Sequence, residues 1–182
     1  MRVVGIDLAG REKNPTGICI LGDKIKFFTV YKNEEIIECI THASPKLVAI
    51  DAPLMKGEIR VRDVDKELKK YGAMPPTMEF MKELCLRGRN IVKQISFPVI
   101  EVFPTASAKI LGFYRRNYKE MANLLNIKPK NEHEMDAYIA ALTGILYLKG
   151  KAIEIGKKEK VVIPLTLNED FSSFFLTMDY LI

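Results

Sequence analysis

Short apolar runs, each ending in a charged or turn-forming residue, dominate the first third of the chain. Runs of this length are typical of buried strands, and the amphipathic segment among them is typical of a helix. Asn33 is the predicted N-cap of that helix, and residues 22–24 form the predicted turn between two of the strands. In chain order the pattern predicts strands over residues 2–8, 17–21 and 25–31, a helix over 33–43 and a strand over 46–51.

Helical periodicity takes over in residues 54–95, which follow the fourth strand like an insertion. Asp63 is the predicted N-cap of a first short helix that ends at Gly72. After a Pro-Pro pair, Thr77 is the predicted N-cap of a longer helix. The remaining elements are predicted as a strand over residues 97–103, helices over 105–111, 115–126 and 132–149, and a hairpin of 152–156 with 160–163.

The composition is that of an ordinary globular protein, with 182 residues, of which 48% are hydrophobic and 28% charged. It excludes a disordered chain, and no apolar run is long enough for a transmembrane helix. We therefore predict one domain over residues 1–164, followed by an apolar tail over 165–182. The Phe and Leu side chains of the tail are expected to pack on the core or on a second copy of the chain, which would make a homodimer.

Charge and cysteine content narrow the choice of partner and compartment. The chain carries 28 Lys and Arg against 23 Asp and Glu, and this net charge of +5 permits a nucleic-acid partner without requiring one. Cys19, Cys39 and Cys85 are far apart in sequence and there are only two histidines, which argues against a structural zinc site. An odd number of scattered thiols suits the reducing cytoplasm, where we expect the protein to reside.

Two of the predicted strands end in an aspartate, Asp7 in GIDLAG and Asp51 in AIDAPL. If these strands lie parallel and adjacent, both carboxylates sit at the carboxyl edge of one sheet, where open α/β sheets place their ligands. Two such charges about 4 Å apart repel each other by about 4 kcal/mol at an effective dielectric constant near 20. A hard divalent cation such as Mg²⁺ or Mn²⁺ removes that repulsion, so the pair predicts a metal site.

Asp136, on the last predicted helix, is the third candidate metal ligand. It shares a helix face with Ala140, Thr143 and Gly144, whose small side chains let the helix approach the sheet closely. Three carboxylates around hard metal ions suit two-metal hydrolysis of phosphodiesters. Taken singly, each aspartate is more typical of a turn, a cap or the first turn of a helix, and only their agreement in one topology favours the metal site.

Further candidates accompany the three aspartates. His133, one turn before Asp136, can orient a water or a phosphate, although a surface position near a helix N-terminus is the commoner role of such a residue. Glu101 lies in a strand that otherwise looks buried, and a charge there needs a metal, an arginine or the sheet edge. Candidate phosphate contacts, each with a solvated helix face as the alternative, are Arg62, Arg87 and Arg89.

The chain resembles a known family in five segments, which run in the family's order and spacing between residues 2 and 164: GIDLAG, TGICIL, AIDAPL, EVFPTAS and HEMDAYIAALTG. The family is domain of unknown function 429, whose members are described as predicted nucleases with an RNase H-like fold. The resemblance implies an α/β fold with a five-stranded mixed sheet, its first three strands antiparallel and its fourth and fifth parallel to the first. It maps Asp7, Asp51 and Asp136 onto the acidic positions of RNase H-like enzymes. The last segment is also similar to Holliday-junction resolvases, whose fourth strand usually carries Glu rather than Asp.

These observations favour a metal-dependent nuclease that acts on DNA or RNA. The alternative is a non-catalytic nucleic-acid-binding or scaffold protein that keeps the same fold. A phosphotransferase of the actin-like superfamily also carries an aspartate on its first strand, but it closes two lobes on ATP. This chain has the length of one such lobe and shows no P-loop pattern, so that class is disfavoured.

Overall fold

The computed structural model describes residues 1–165. Its elements follow the predicted order closely, including the helical insertion after the fourth strand. A 3₁₀ turn over Lys69–Tyr71 extends the first helix of the insertion to Gly72, as predicted. In chain order the elements are β1 (Val3–Asp7), β2 (Thr16–Leu21), β3 (Lys26–Val30), α1 (Asn33–Ala43), β4 (Leu47–Asp51), α2 (Asp63–Leu68), α3 (Glu79–Gln94), β5 (Val99–Glu101), α4 (Pro104–Ile110), α5 (Tyr118–Leu124), α6 (Glu132–Leu148), β6 (Ala152–Ile155) and β7 (Val161–Pro164).

The main sheet of the described residues has five strands in the order β3-β2-β1-β4-β5. β2 runs antiparallel to both β1 and β3, whereas β4 runs parallel to β1 and β5 parallel to β4. This arrangement confirms the predicted mixed sheet. β6 and β7 form the predicted hairpin, and a parallel bridge joins Val162 of β7 to Val102, the residue after β5.

Alternate residues of the central strands enter two separate cores, one on each face of the sheet. Val3 faces α6, together with residues of α4 and α5, in the larger core. Val4 and Ile6 face the opposite side, where they pack with Ile36 of α1 and Ile91 of α3. The sheet is therefore covered on both faces, which explains why β1 and β4 read as continuous apolar runs rather than as alternating ones.

α6 lies directly against the backbone of β1 and β2, and two strand glycines make this possible. A Cβ on Gly5 would collide with the carbonyl oxygen of Ala137, and one on Gly17 would collide with the carbonyl oxygen of His133. The small residues predicted on the helix contribute as well, since a Cβ on Gly144 would lie 2.8 Å from the Val3 side chain. The closest approach nevertheless depends on the strands, where only glycine fits at these two positions.

Two helices have an N-cap residue that differs from the predicted one. α1 is capped at Lys32 rather than Asn33, because the Glu35 carboxylate accepts the Lys32 N–H at 2.8 Å. α2 is capped at Arg62 rather than Asp63, because the Asp65 carboxylate accepts the Arg62 N–H at 2.7 Å. In both cases an acid three residues into the helix satisfies the free N–H, which is one half of a capping box.

Two further helices begin later than predicted. Thr77 does not cap α3, which starts at Glu79 after a turn in which the Met78 N–H donates to the Pro75 carbonyl at 3.1 Å. α5 begins at Tyr118 rather than residue 115, because the Asn117 side chain accepts the Lys119 N–H and caps the helix there.

Among residues 1–165, none of the helices combines the length and the apolar character that crossing a membrane requires. The predicted packing of the apolar tail falls on residues 166–182, which lie outside the described part of the chain.

Replacing Gly17 with alanine is expected to lower the melting temperature, because the added methyl group must push the first turn of α6 away from β2. Overpacking of this kind costs about 1–3 kcal/mol, and occasionally more. Gly22→Ala is the matched control, since a Cβ at that position meets no atom nearer than 3.4 Å. Thermal unfolding measures both variants, and a Gly17→Ala protein that melts together with Gly22→Ala would contradict the close packing of α6.

Candidate active site

The parallel register of β1 and β4 places Asp7 directly beside Asp51. Both residues end their strands, so their carboxylates share the carboxyl edge of the sheet, as the sequence predicts. Burial raises the pKa of Asp51 well above its usual range, and the negative charges of Asp7, Asp136 and Glu101 raise it further. Asp51 is therefore close enough to these three acids for their charges to oppose its ionisation.

The first turn of α6 brings His133 and Asp136 to the same edge. His133 Nδ1 lies 2.8 Å from the Oδ2 atom of Asp7, a hydrogen bond that requires the proton on Nδ1. This bond raises the pKa of His133 above its usual value, against the opposing effect of burial. Burial raises the pKa of Asp136 to about 7, helped by the charges of Asp7 and Glu132. The structure thus brings together four of the five predicted catalytic residues, Asp7, Asp51, His133 and Asp136.

A small polar network holds that first turn in place. Asn131 caps α6, and its Oδ1 atom accepts the Glu134 N–H at 2.9 Å. The Glu134 carboxylate does not return to Asn131 as a capping box would require, but accepts the Lys130 N–H at 2.6 Å and the Thr29 hydroxyl at 2.9 Å. Asn131 Nδ2 donates to the same hydroxyl oxygen at 2.9 Å. Thr29, which the sequence does not single out, therefore ties the start of α6 to β3.

The donor chemistry of Asp7, Asp51 and Asp136 fits a hard divalent ion, because carboxylate oxygen is the preferred ligand of Mg²⁺ and Mn²⁺. The raised pKa values of Asp51 and Asp136 fit as well, because an ion would relieve the repulsion from neighbouring carboxylates that adds to the effect of burial. As the side chains stand, however, residues 1–165 contain no group of three or more His, Cys, Asp or Glu positioned to hold a metal.

Glu101, the fifth predicted catalytic residue, is engaged in a buried ion pair. Its two carboxylate oxygens accept from Arg62 Nη1 at 2.7 Å and Nη2 at 2.6 Å, and one of them also accepts the Leu54 N–H at 2.8 Å. Arg62 also donates to Asp65, so its guanidinium is shared between two acids. Burial lowers the pKa of that guanidinium, but the hydrogen bonds and negative charges of Glu101 and Asp65 raise it by more. The pKa of Arg62 is therefore raised overall. The pair joins the helical insertion to β5.

Two of the arginines predicted as phosphate contacts are buried, and their donors are engaged within the protein. The Arg62 side chain is only 2% exposed and its donors are committed to Glu101 and Asp65. Arg87 is 7% exposed and donates to the Asn33 side chain and to the carbonyl oxygens of Ala9 and Tyr31. Both residues therefore bind parts of the protein to one another, since a guanidinium leaves water only where its donors are satisfied.

Arg89, the third predicted phosphate contact, is half-buried on α3. Its Nε atom donates to the Met55 carbonyl at 2.6 Å, which ties the helix to the chain that follows β4. Its Nη2 atom is buried and has no hydrogen-bond partner among the described residues. A role for Arg89 in phosphate binding stays a prediction.

Two adjoining cavities open at the site. A cleft of about 770 Å³ lies beside Asp51, between the edge of the sheet and the helical insertion. A smaller pocket of about 360 Å³ lies beside Asp7 and His133. Leu8, Gly10 and Asn14 line both, so the two cavities meet along the chain that follows β1.

Comparison with known proteins identifies the fold. No family model matches the chain, and no curated protein sequence matches it. Among solved structures, RuvC of Thermus thermophilus aligns with a TM-score of 0.50 and 17% identity, over 82% of this chain and 96% of RuvC. T. thermophilus RuvC in complex with Holliday junction substrate aligns with a TM-score of 0.51 and 15% identity, over the same shares of 82% and 96%. The chain has the RNase H-like fold of RuvC. The resemblance to domain of unknown function 429 stays a prediction.

Replacing Arg62 with methionine is expected to destabilise the protein strongly, because it leaves Glu101 and Asp65 buried without their cation. Breaking a buried ion pair in this way costs about 3–5 kcal/mol. Adding Glu101→Gln should recover part of the loss, since the amide needs no counter-charge.

Arg60→Met is the matched control for Arg62→Met. Arg60 pairs with Glu159 but is 42% exposed, and a surface pair of this kind contributes little. Urea unfolding of the three variants measures the effect. Equal midpoints for Arg60→Met and Arg62→Met would show that the buried pair does not hold the insertion.

Proposed function

We propose that this protein is a metal-dependent nuclease, which hydrolyses phosphodiester bonds in DNA or RNA and belongs to the family it resembles, domain of unknown function 429. The observation that carries the proposal is the meeting of Asp7, Asp51, His133 and Asp136 at one edge of the sheet. Paired acids with perturbed pKa values beside a cleft are typical of catalytic sites.

Asp7, Asp51 and Asp136 would hold Mg²⁺ or Mn²⁺. When bound, the metal supplies Lewis-acid stabilisation of the phosphate oxygens and activates a water for attack. His133 donates its Nδ1 proton in a hydrogen bond to Asp7. Its Nε2 atom is left to take a proton from the attacking water or to return one to the leaving oxygen. The raised pKa of His133 suits such a transfer near neutral pH.

The nucleic-acid partner is part of the proposal and rests on two kinds of support. The chain has a net charge of +5, which favours approach to a polyanion. It also shares its fold with RuvC, which has been solved in complex with Holliday junction substrate. A cytoplasmic location follows from the same function and from the scattered thiols.

A second candidate is a nucleic-acid-binding protein of the same fold that does not cleave. It is favoured by one observation, the lack of a ready group of three metal-binding side chains among residues 1–165. Assays of cleavage and of metal binding distinguish the two candidates, because only the nuclease is expected to bind the metal and to cleave.

Asp7→Asn and Asp136→Asn are each expected to abolish cleavage of DNA and RNA in Mg²⁺ or Mn²⁺, and to melt in EDTA at or above the wild-type temperature because repulsion falls. Divalent ions should stabilise the wild-type protein, by about 2.7 kcal/mol at a hundred times the dissociation constant. Both variants should lose most of that shift. The measurements are a nuclease assay on labelled oligonucleotides and melting curves in EDTA, Mg²⁺ and Mn²⁺.

Asp23→Asn is the control for both aspartate variants. Asp23 is exposed and follows β2 at the opposite edge of the sheet, so this change should preserve both cleavage and the ion-induced shift. A wild-type protein whose melting ignores millimolar ions would remove the support for a metal-dependent nuclease. A shift that survives in both site variants would place the ions elsewhere.

A further inference from the structure

The cleft beside Asp51 differs in character from the carboxylate cluster it adjoins. Its walls come from the helical insertion, the chain that follows β1 and the chain that follows β5, and they are largely apolar. Met74 and Phe80 stand at 50% and 47% exposure, which is unusual for such large apolar side chains. The apolar residues that give the walls their character are Leu8, Leu68, Met74, Phe80, Met81 and Phe103.

We propose that this cleft binds an unpaired nucleobase next to the scissile phosphate, so that the substrate is a nucleic acid with a single-stranded nucleotide at the cleavage position. The proposal rests on the nuclease function argued above and names its substrate class. It follows from three properties of the cleft, which are its position, its charge and its walls.

The position of the cleft couples it to the reacting group. Asp51 lines the cleft, and the pocket of Asp7 and His133 joins it through Leu8 and Gly10. A phosphate held at the carboxylates therefore has its neighbouring nucleotide at the mouth of the cleft. The volume of about 770 Å³ lies within the range of small-molecule sites, so it accommodates a base and excludes a duplex.

The charge of the cleft excludes a phosphate from its floor. The floor of the cleft is formed by the buried residues Arg62, Asp65 and Glu101. The positive charge of Arg62 is already neutralised by the carboxylates of Asp65 and Glu101. The two acids leave the floor without a free positive charge for a phosphate, whereas a neutral base needs none. Nearer the surface the cleft is lined by Lys13, by Arg11, which is paired with Glu83, and by Glu79. The backbone of the substrate would remain there, beside Lys13.

The walls provide a surface for stacking. Phe80 offers an aromatic face and Met74 a polarisable side chain, and every base can stack on such groups whatever its hydrogen-bonding pattern. A base inside a duplex is already stacked and paired, so it must be unpaired or extruded to reach them. The cleft therefore selects for unpaired nucleotides rather than for a base sequence.

The test is binding in EDTA, where cleavage does not interfere. Fluorescence anisotropy compares wild type, Phe80→Ala and Phe80→Tyr on a labelled single-stranded DNA, on the same strand with abasic nucleotides, and on its duplex. We expect Phe80→Ala to weaken binding of the intact single strand by about tenfold, within the range for loss of one stacking platform. Phe80→Tyr should bind like wild type.

The abasic strand supplies the decisive comparison. Wild type should bind it about as weakly as Phe80→Ala binds the intact strand, and Phe80→Ala should lose nothing further on it. Leu86→Ala is the control, because Leu86 is 56% exposed on the same helix and does not line the cleft. Melting curves establish that each variant is folded, and Met74→Ala repeats the test on the second wall residue.

Several results would overturn the inference, namely equal binding by wild type and Phe80→Ala, indifference of wild type to abasic nucleotides, or tighter binding of the duplex. The nuclease proposal fails separately, when no strand is cleaved in Mg²⁺ or Mn²⁺. Cleavage with no effect of Phe80 removes only the base-binding cleft. Base-dependent binding without cleavage keeps the cleft and favours the non-catalytic candidate.

Discussion

The contact between the backbone of α6 and the backbone of β1 and β2 determines the rest of the candidate site. Gly5 and Gly17 allow it, because any side chain at either position would collide with a peptide group of the helix. The helix axis thus lies closer to the sheet than ordinary side-chain packing permits. At that separation His133 Nδ1 lies 2.8 Å from the Asp7 carboxylate. Gly5 and Gly17 therefore help to position the candidate catalytic residues of α6, His133 and Asp136.

The helical insertion is attached to this frame by buried polar contacts. Arg62 joins it to Glu101 of β5, while Arg87 joins α3 to the chain that follows β1 and to the end of β3. Such contacts are directional, since each guanidinium must meet its acceptors in one orientation. The insertion consequently has a defined placement over the carboxyl edge of the sheet, and the cleft beneath it has defined walls.

The elements that could be predicted from the sequence are those whose signal is local. Strand-ending aspartates such as Asp7 and Asp51 stand out in short apolar runs, and a known family order supplied their parallel pairing. The roles of Arg62 and Arg87 could not be predicted in this way, because Glu101 lies 39 residues from Arg62, and the partners of Arg87 lie 54 to 78 residues from it. A buried and an exposed arginine look alike in a helix pattern. Thr29 escaped notice for the same reason, since Glu134 is 105 residues distant.

The bridge between Val102 and Val162 has a consequence for solubility. A strand at the edge of a sheet exposes free backbone groups that can pair with another molecule. β5 is one outer strand of the sheet, and β7 pairs with the residue that follows it, Val102. Val162 of β7 is itself buried, so the hairpin covers this part of the outer strand. β3, at the other end of the sheet, carries an exposed Lys26, a charge of the kind that discourages strand-to-strand association. Each outer strand of the sheet thus has a feature that discourages pairing with another molecule, while the carboxyl ends of β1 and β4, where Asp7 and Asp51 lie, stay open to the cavities.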